Sequence, residues 1–184
     1  MQPAATQRLP ESVEVIVLDA EGELREDIEP GEIPGYLSDK DALLWCDVSS
    51  TEGGEEGPYG RLLAETFGFD PLTVEDCFHE SHLPKVDDYG SYLFVVFFAL
   101  GLSGERRVRQ VELDLYLGEN YVVCVHPRPL RELERVRRRL VSGSAFVSSH
   151  PANVAHTVLD AVVDEYLPVM NRLSAMVDGI EEEL

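Results

Sequence analysis

The chain is poor in lysine, in cysteine and in long apolar runs, and each shortage excludes something. Thirteen of its 15 basic residues are Arg and only 2 are Lys, against 35 acidic ones, for a formal net charge of -20 over 184 residues. That argues against nucleic acid as a partner, because phosphate binding needs a strong positive field. Cations are attracted instead. The three cysteines, Cys46, Cys77 and Cys124, are odd in number, widely spaced and set in apolar runs. They read as buried thiols, not as a disulfide framework, and fit a reducing compartment. No run approaches the about 18 apolar residues of a membrane helix, and no apolar core follows a basic N-terminal start. The expectation is therefore a soluble chain without a signal peptide. Hydrolase elbow, phosphate-cradling glycine loop and dinucleotide fingerprint are all missing, since Gly53-Gly54 and Gly101 to Gly104 lack the spacing. An enzyme is not expected.

What is present is a globular composition, 44% hydrophobic and 27% charged, at a length that suits one domain. The acid is concentrated in the first sixty residues, and only the segment from 105 to 150 is net positive. Residues 1 to 11 read as a loose lead-in. Val13 to Leu18 and Leu43 to Val48 are expected strands, with a turn through Gly22 after the first. Glu26 to Gly35, with Pro30 and Pro34, is expected to be irregular. Ser49 to Gly57 reads as an exposed loop, and Tyr59 to Phe67 as a helix with Leu62, Leu63 and Phe67 inward.

Further on, Val111, Leu113, Leu115 and Leu117 alternate with Glu112, Asp114 and Tyr116, a period of two that predicts a strand with one wet face. Gly118 to Asn120 turns the chain, and Tyr121 to Val125 returns as the second arm of a hairpin. Leu130, Leu133, Val136 or Arg137, and Leu140 follow at helical spacing, closed by Gly143. Six arginines lie between Arg128 and Arg139, with Glu132 and Glu134 placed to neutralise part of them, so this reads as a solvated helix face answering acid elsewhere. Near the C-terminus, Leu159, Val163, Tyr166, Met170, Leu173, Val177, Ile180 and Leu184 recur every three or four residues. That is the seam of a helix meant to pack along another, with Pro168 able to bend it. Because the repeat is still running at Leu184, the expectation is a helix cut within a longer one.

The chemistry centres on residues 67 to 100, FGFDPLTVEDCFHESHLPKVDDYGSYLFVVFFAL. Asp70 is placed as N-cap of a helix from Pro71 to about His79, with Leu72, Val74, Cys77 and Phe78 as its apolar side. Glu75 and Asp76 are adjacent, about 100° apart around that helix. Leu93 to Leu100 reads as a strand covered on both faces. Cys77, His79 and His82 form a compact C-x-H-x-x-H, but no fourth ligand is evident and a structural zinc site is not expected. Taken alone, Glu75 and Asp76 read as acids dressing a helix.

The order Phe67-Gly68-Phe69, Pro71-Leu72, Val74-Glu75-Asp76, Pro84-Lys85-Val86-Asp87, Tyr89 and Tyr92-Leu93-Phe94 resembles the cytoplasmic domain of CorA-type divalent-cation transporters. One departure is Leu83, where that family usually carries Arg. HTVLDAVVDEYLPVMNRL, from His156 to Leu173, is similar to the start of the family's stalk helix. The resemblance implies a three-layer α/β/α sandwich with a mixed sheet over residues 1–149, and the start of a long stalk helix over 150–184, truncated before any transmembrane part. It implies a homopentamer at the cytoplasmic face of the membrane, touching the membrane only through segments beyond this chain. Divalent cations, Mg2+ foremost with Co2+ and Zn2+ open, would bind between subunits at Glu75, Asp76 and Asp160, and their occupancy would close the pore. Asp164 lies one turn beyond Asp160 but takes no role from the family. Carboxylates about 4 Å apart repel by about 4 kcal/mol at an effective dielectric near 20, and a bound cation removes that repulsion. The competing expectation is a stand-alone acidic module that dimerises through its C-terminal helix and binds no ion specifically.

Overall fold

A computed structural model describes residues 9–79, 83–103, 107–142 and 150–182. Seven strands form one sheet: β1 (Val13–Leu18), β2 (Leu24–Arg25), β3 (Leu43–Val48), β4 (Lys85–Asp88), β5 (Tyr92–Ser103), β6 (Arg107–Gly118) and β7 (Tyr121–Val125). Their spatial order is β2-β1-β3-β7-β6-β5-β4. All neighbours are antiparallel except β3 and β7, which run parallel from Leu44 opposite Tyr121 to Val48 opposite Val125, so the sheet is mixed. The β5–β6 pair is the longest, in register from Tyr92 opposite Gly118 to Ser103 opposite Arg107.

Helices cover both faces. On one side lie α1 (Ile33–Ser38), α2 (Pro58–Arg61) with the π-helical turn Leu62–Thr66 that continues it, and α3 (Pro71–Phe78). They bury Ile33, Leu63 and Val74 against Val15, Phe94, Tyr116 and Val123. On the other side, α4 (Arg131–Val141) and α5 (Pro151–Val163) bury Leu133, Val136, Val154 and Val158 against Trp45, Leu113, Leu115 and Cys124. Alternate residues of one strand point to opposite faces, so a sheet with two apolar faces needs a helical layer on each. The result is the expected three-layer α/β/α sandwich, with a last helix, α6 (Tyr166–Glu182), at the C-terminal end.

Several local expectations are corrected. The stretch to Gly35 is not wholly irregular: α1 starts at Ile33, with Pro34 in its first turn, where the missing N–H costs nothing. The second face of β6 is not wet, since Asp114 is 2% and Tyr116 0% exposed. Both lie under α3, a cover that strand periodicity alone does not reveal. Leu72, assigned to the apolar side of α3, is 66% exposed, and Thr73 at 1% takes the inward position. The C-terminal seam is not one helix, because the chain breaks between Val163 and Tyr166 before continuing as α6. Gly143, assigned to close α4, and His82 lie outside the described residues.

Candidate metal site

Helix α3 is held at its N-terminal end and from beneath. Asp70 caps it, its carboxylate accepting from the Leu72 N–H at 2.9 Å, and Pro71 occupies the first turn. Tyr92 of β5 donates no slack: its hydroxyl accepts from the Asp70 N–H at 2.9 Å. From β6, the Tyr116 hydroxyl donates to the Thr73 carbonyl at 2.9 Å and meets the Cys77 thiol at 3.2 Å. Phe69 stacks flat on Tyr116, ring centroids 3.7 Å apart. These contacts are not legible as a set in the sequence, where Tyr116 falls on the expected wet face of its strand and Phe69 and Tyr92 stand out only through the family resemblance.

With Thr73, Val74 and Cys77 inward, Glu75 faces solvent and Asp76 sits at the rim. Asp76 Oδ2 is 2.6 Å from the Lys85 ammonium, which also lies 3.1 Å from Asp87 Oδ2 and over the Phe94 ring, 5.4 Å from its centroid. Hydrogen bonding to Asp76 holds the Lys85 pKa above its ordinary value. Behind this corner lies Asp114, whose Oδ1 is buried without a hydrogen-bond partner among the described residues. Burial raises its pKa well above the usual range, helped by the nearby Glu112 and Asp76 charges. Cys77 is a buried thiol whose pKa burial raises well above 9.0, so it is no ready thiolate ligand. The Nδ1 of His79 meets the Glu75 carbonyl at 3.0 Å.

Asp160 lies on the exposed side of α5, opposite the buried Val158 and Val162, and Asp164 shares that outward side. Because α5 covers the sheet face opposite to α3, one chain does not bring Asp160 to Glu75 and Asp76. Among the described residues no three His, Cys, Asp or Glu side chains form a group able to hold a metal ion. The carboxylates of Glu75 and Asp160 are still suitable hard-cation donors, exposed and free to keep an ion's waters in place.

The profile of the CorA-like Mg2+ transporter protein family matches residues 40–184. The chain belongs to that family. A putative metal ion transporter of Bacillus subtilis, YfjQ, is 32% identical over 141 residues, covering 77% of this chain and 42% of that protein. The cobalt/magnesium transport protein CorA of Thermotoga maritima is 24% identical over 128 residues, covering 67% of this chain and 36% of its own length. This CorA-like chain thus spans less than half of each of these relatives. In fold it matches the soluble domain of CorA from Methanocaldococcus jannaschii with a TM-score of 0.68 at 12% identity, over 97% of this chain and 66% of that one. The full-length CmaX protein matches with a TM-score of 0.71 at 17% identity, over 95% and 53%. Among the described residues no helix is long and apolar enough to cross a membrane.

Proposed function

We propose that this CorA-like chain is the cytoplasmic, ion-sensing part of a divalent metal cation transporter, with residues 1–149 as the sensing unit and 150–184 as the start of the stalk. It performs no catalysis. The observation that carries the reading is the family match over residues 40–184, which includes Glu75, Asp76 and Asp160. The geometry adds a physical reason for assembly: Glu75 and Asp76 stand on one helical layer and Asp160 on the other. An ion can use both only by lying between two copies. Subunits in a ring, a homopentamer on this reading, present the α3 layer of one to the α5 layer of the next.

The bound ion would supply charge neutralisation between carboxylates that otherwise repel. Mg2+ suits all-oxygen donors and retained waters, with Co2+ and Zn2+ as further candidates. Occupancy favours subunits held close and hence the closed pore; ion loss releases them. The Val163, Leu167, Met170, Leu173 and Val177 side chains, exposed along the C-terminal helices, support a helix that packs on a neighbour. The same row would serve the competing module that merely dimerises, so the ion decides.

The test follows melting of the full-length protein with and without millimolar Mg2+, Co2+ or Zn2+, beside Glu75→Ala, Asp76→Ala and Asp160→Ala. Ligand linkage raises the melting temperature only where the ligands are intact. Equal shifts in all four proteins would remove these residues from the site.

A further inference from the structure

We propose that Lys85 is a tethered cation that competes with the divalent ion for Asp76 and is handed to Asp87 when the ion binds. The inference rests on the reading of Asp76 as an ion ligand.

The geometry supports a two-position side chain. Lys85 opens the edge strand β4, whose backbone is fixed by antiparallel pairing, Lys85 opposite Val96 and Asp87 opposite Phe94. Residues two apart on a strand share a face, so Lys85 and Asp87 project to the same side. Their charged ends lie 3.1 Å apart while the ammonium also touches Asp76 at 2.6 Å. Both acceptors are therefore within reach of one ammonium without backbone movement. The Phe94 ring, 5.4 Å from Nζ, gives it an apolar floor over which to pivot.

Asp76 cannot offer the same oxygen to a dication while an ammonium stands beside it, since the two positive charges repel. Displacement would be costly if the lysine were left buried and unpaired. Here it is neither: the Lys85 and Asp76 side chains are 36% and 39% exposed, and Asp87 stands ready as a replacement partner. An exposed pair of this kind is weak. The arrangement thus sets a threshold without blocking the site, since the ion must outcompete a local positive charge whose concentration never falls.

The test is titration calorimetry of the full-length protein with MgCl2. Lys85→Gln is expected to tighten binding by up to about fivefold, the fold-change that corresponds to an exposed pair. Lys85→Arg, which keeps the charge, stays near the parent value. A general loss of positive charge is separated by repeating Lys85→Gln on Asp76→Asn: competition for Asp76 predicts no further gain there, whereas a persistent gain overturns the proposal. Unchanged or weaker binding in Lys85→Gln, with Asp76→Ala still defective, also overturns it while leaving the ion site intact. If Asp76→Ala binds like the parent, the site reading itself fails and this inference with it. A structure in Mg2+ should place Nζ on Asp87 and away from Asp76.

Discussion

The Tyr116 hydroxyl reaches from β6 across to α3 and donates to the Thr73 carbonyl at 2.9 Å. Two residues beyond Thr73 lies Glu75, so the sheet itself sets the position of the acidic pair. Replacing Tyr116 by Phe keeps the stacking on Phe69 and deletes only the hydroxyl. The expected loss is about 1 kcal/mol, the net value of one hydrogen bond, read from urea unfolding. Tyr116→Ala also removes the buried ring and should cost about 3–5 kcal/mol.

Asp114 gives a pH prediction with a definite sign. Its pKa is raised in the folded chain by burial, so the fold binds that proton more tightly than the unfolded chain does. Stability tied to this proton is complete below the ordinary value near 3.8 and is lost as pH rises from there toward the folded pKa. Asp114→Asn cannot ionise and escapes that loss. The difference in unfolding free energy between Asp114→Asn and the parent should therefore grow in favour of Asn as pH increases from 4 to 7, with urea unfolding at each pH as the measurement. A constant difference would contradict a raised pKa.

Asp114 also marks where sequence stopped being legible. The strands β1, β3 and β7 announced themselves through short runs dominated by apolar residues, interrupted only by Glu14 in β1 and Asp47 in β3, and α3 through its Asp-Pro start, because those signals are local. Whether the second face of β6 is wet depends on a helix some forty residues earlier in the chain, and Asp114 and Tyr116 carry no local mark of that cover. Leu72 misled for a related reason: an apolar residue beside a helix start need not point inward, and the smaller Thr73 satisfies its hydroxyl on the Asp70 carbonyl at 2.9 Å and fills the inward position instead. The acids Glu75, Asp76 and Asp160 were visible as residues, but their separation onto two layers was not. The pairing of Asp76 with Lys85, nine residues on, needed the relative placement of α3 and β4 to be known.

His126 and Asp47 tie the end of β7 to β3. Nε2 lies 2.9 Å from Asp47 Oδ1 and Nδ1 lies 2.6 Å from the Arg128 carbonyl, with the imidazole 1% exposed. Both nitrogens face oxygen acceptors, and a buried partner left alone is costly. His126→Leu and Asp47→Ala should each destabilise by about 1–3 kcal/mol. Their combination should cost less than the sum, and a double-mutant cycle on urea unfolding measures that coupling.

The solvated arginine face of α4 has a specific partner as well. Arg137 lies 2.6 Å from Glu14 and 2.8 Å from Glu26, pinning α4 to the acidic N-terminal part of the chain. These pairs are partly exposed, so Arg137→Ala is expected to lower stability by only about 1 kcal/mol, and by less in 1 M salt. Equal losses at low and high salt would mean that the aliphatic stem of Arg137, not its charge, carries the contact.

The C-terminal helix separates folding from assembly. On α6, Val169 is 2% exposed, whereas Leu167, Met170 and Val177 are 66%, 56% and 55% exposed. Tyr166 anchors the same helix by donating its hydroxyl proton to the Phe98 carbonyl of β5. Val169→Ala should therefore destabilise the chain by about 1–3 kcal/mol, as buried methyl deletions do. Met170→Gln and Val177→Gln change side chains that are more than half exposed and should leave the subunit's melting within about 0.5 kcal/mol of the parent. If the row packs on a neighbouring helix, these two variants should instead shift the full-length protein toward smaller species in analytical ultracentrifugation. An unchanged sedimentation profile would place the assembly contact on another surface, because a Gln amide buried in an apolar helix seam pays desolvation that a solvent-facing one does not.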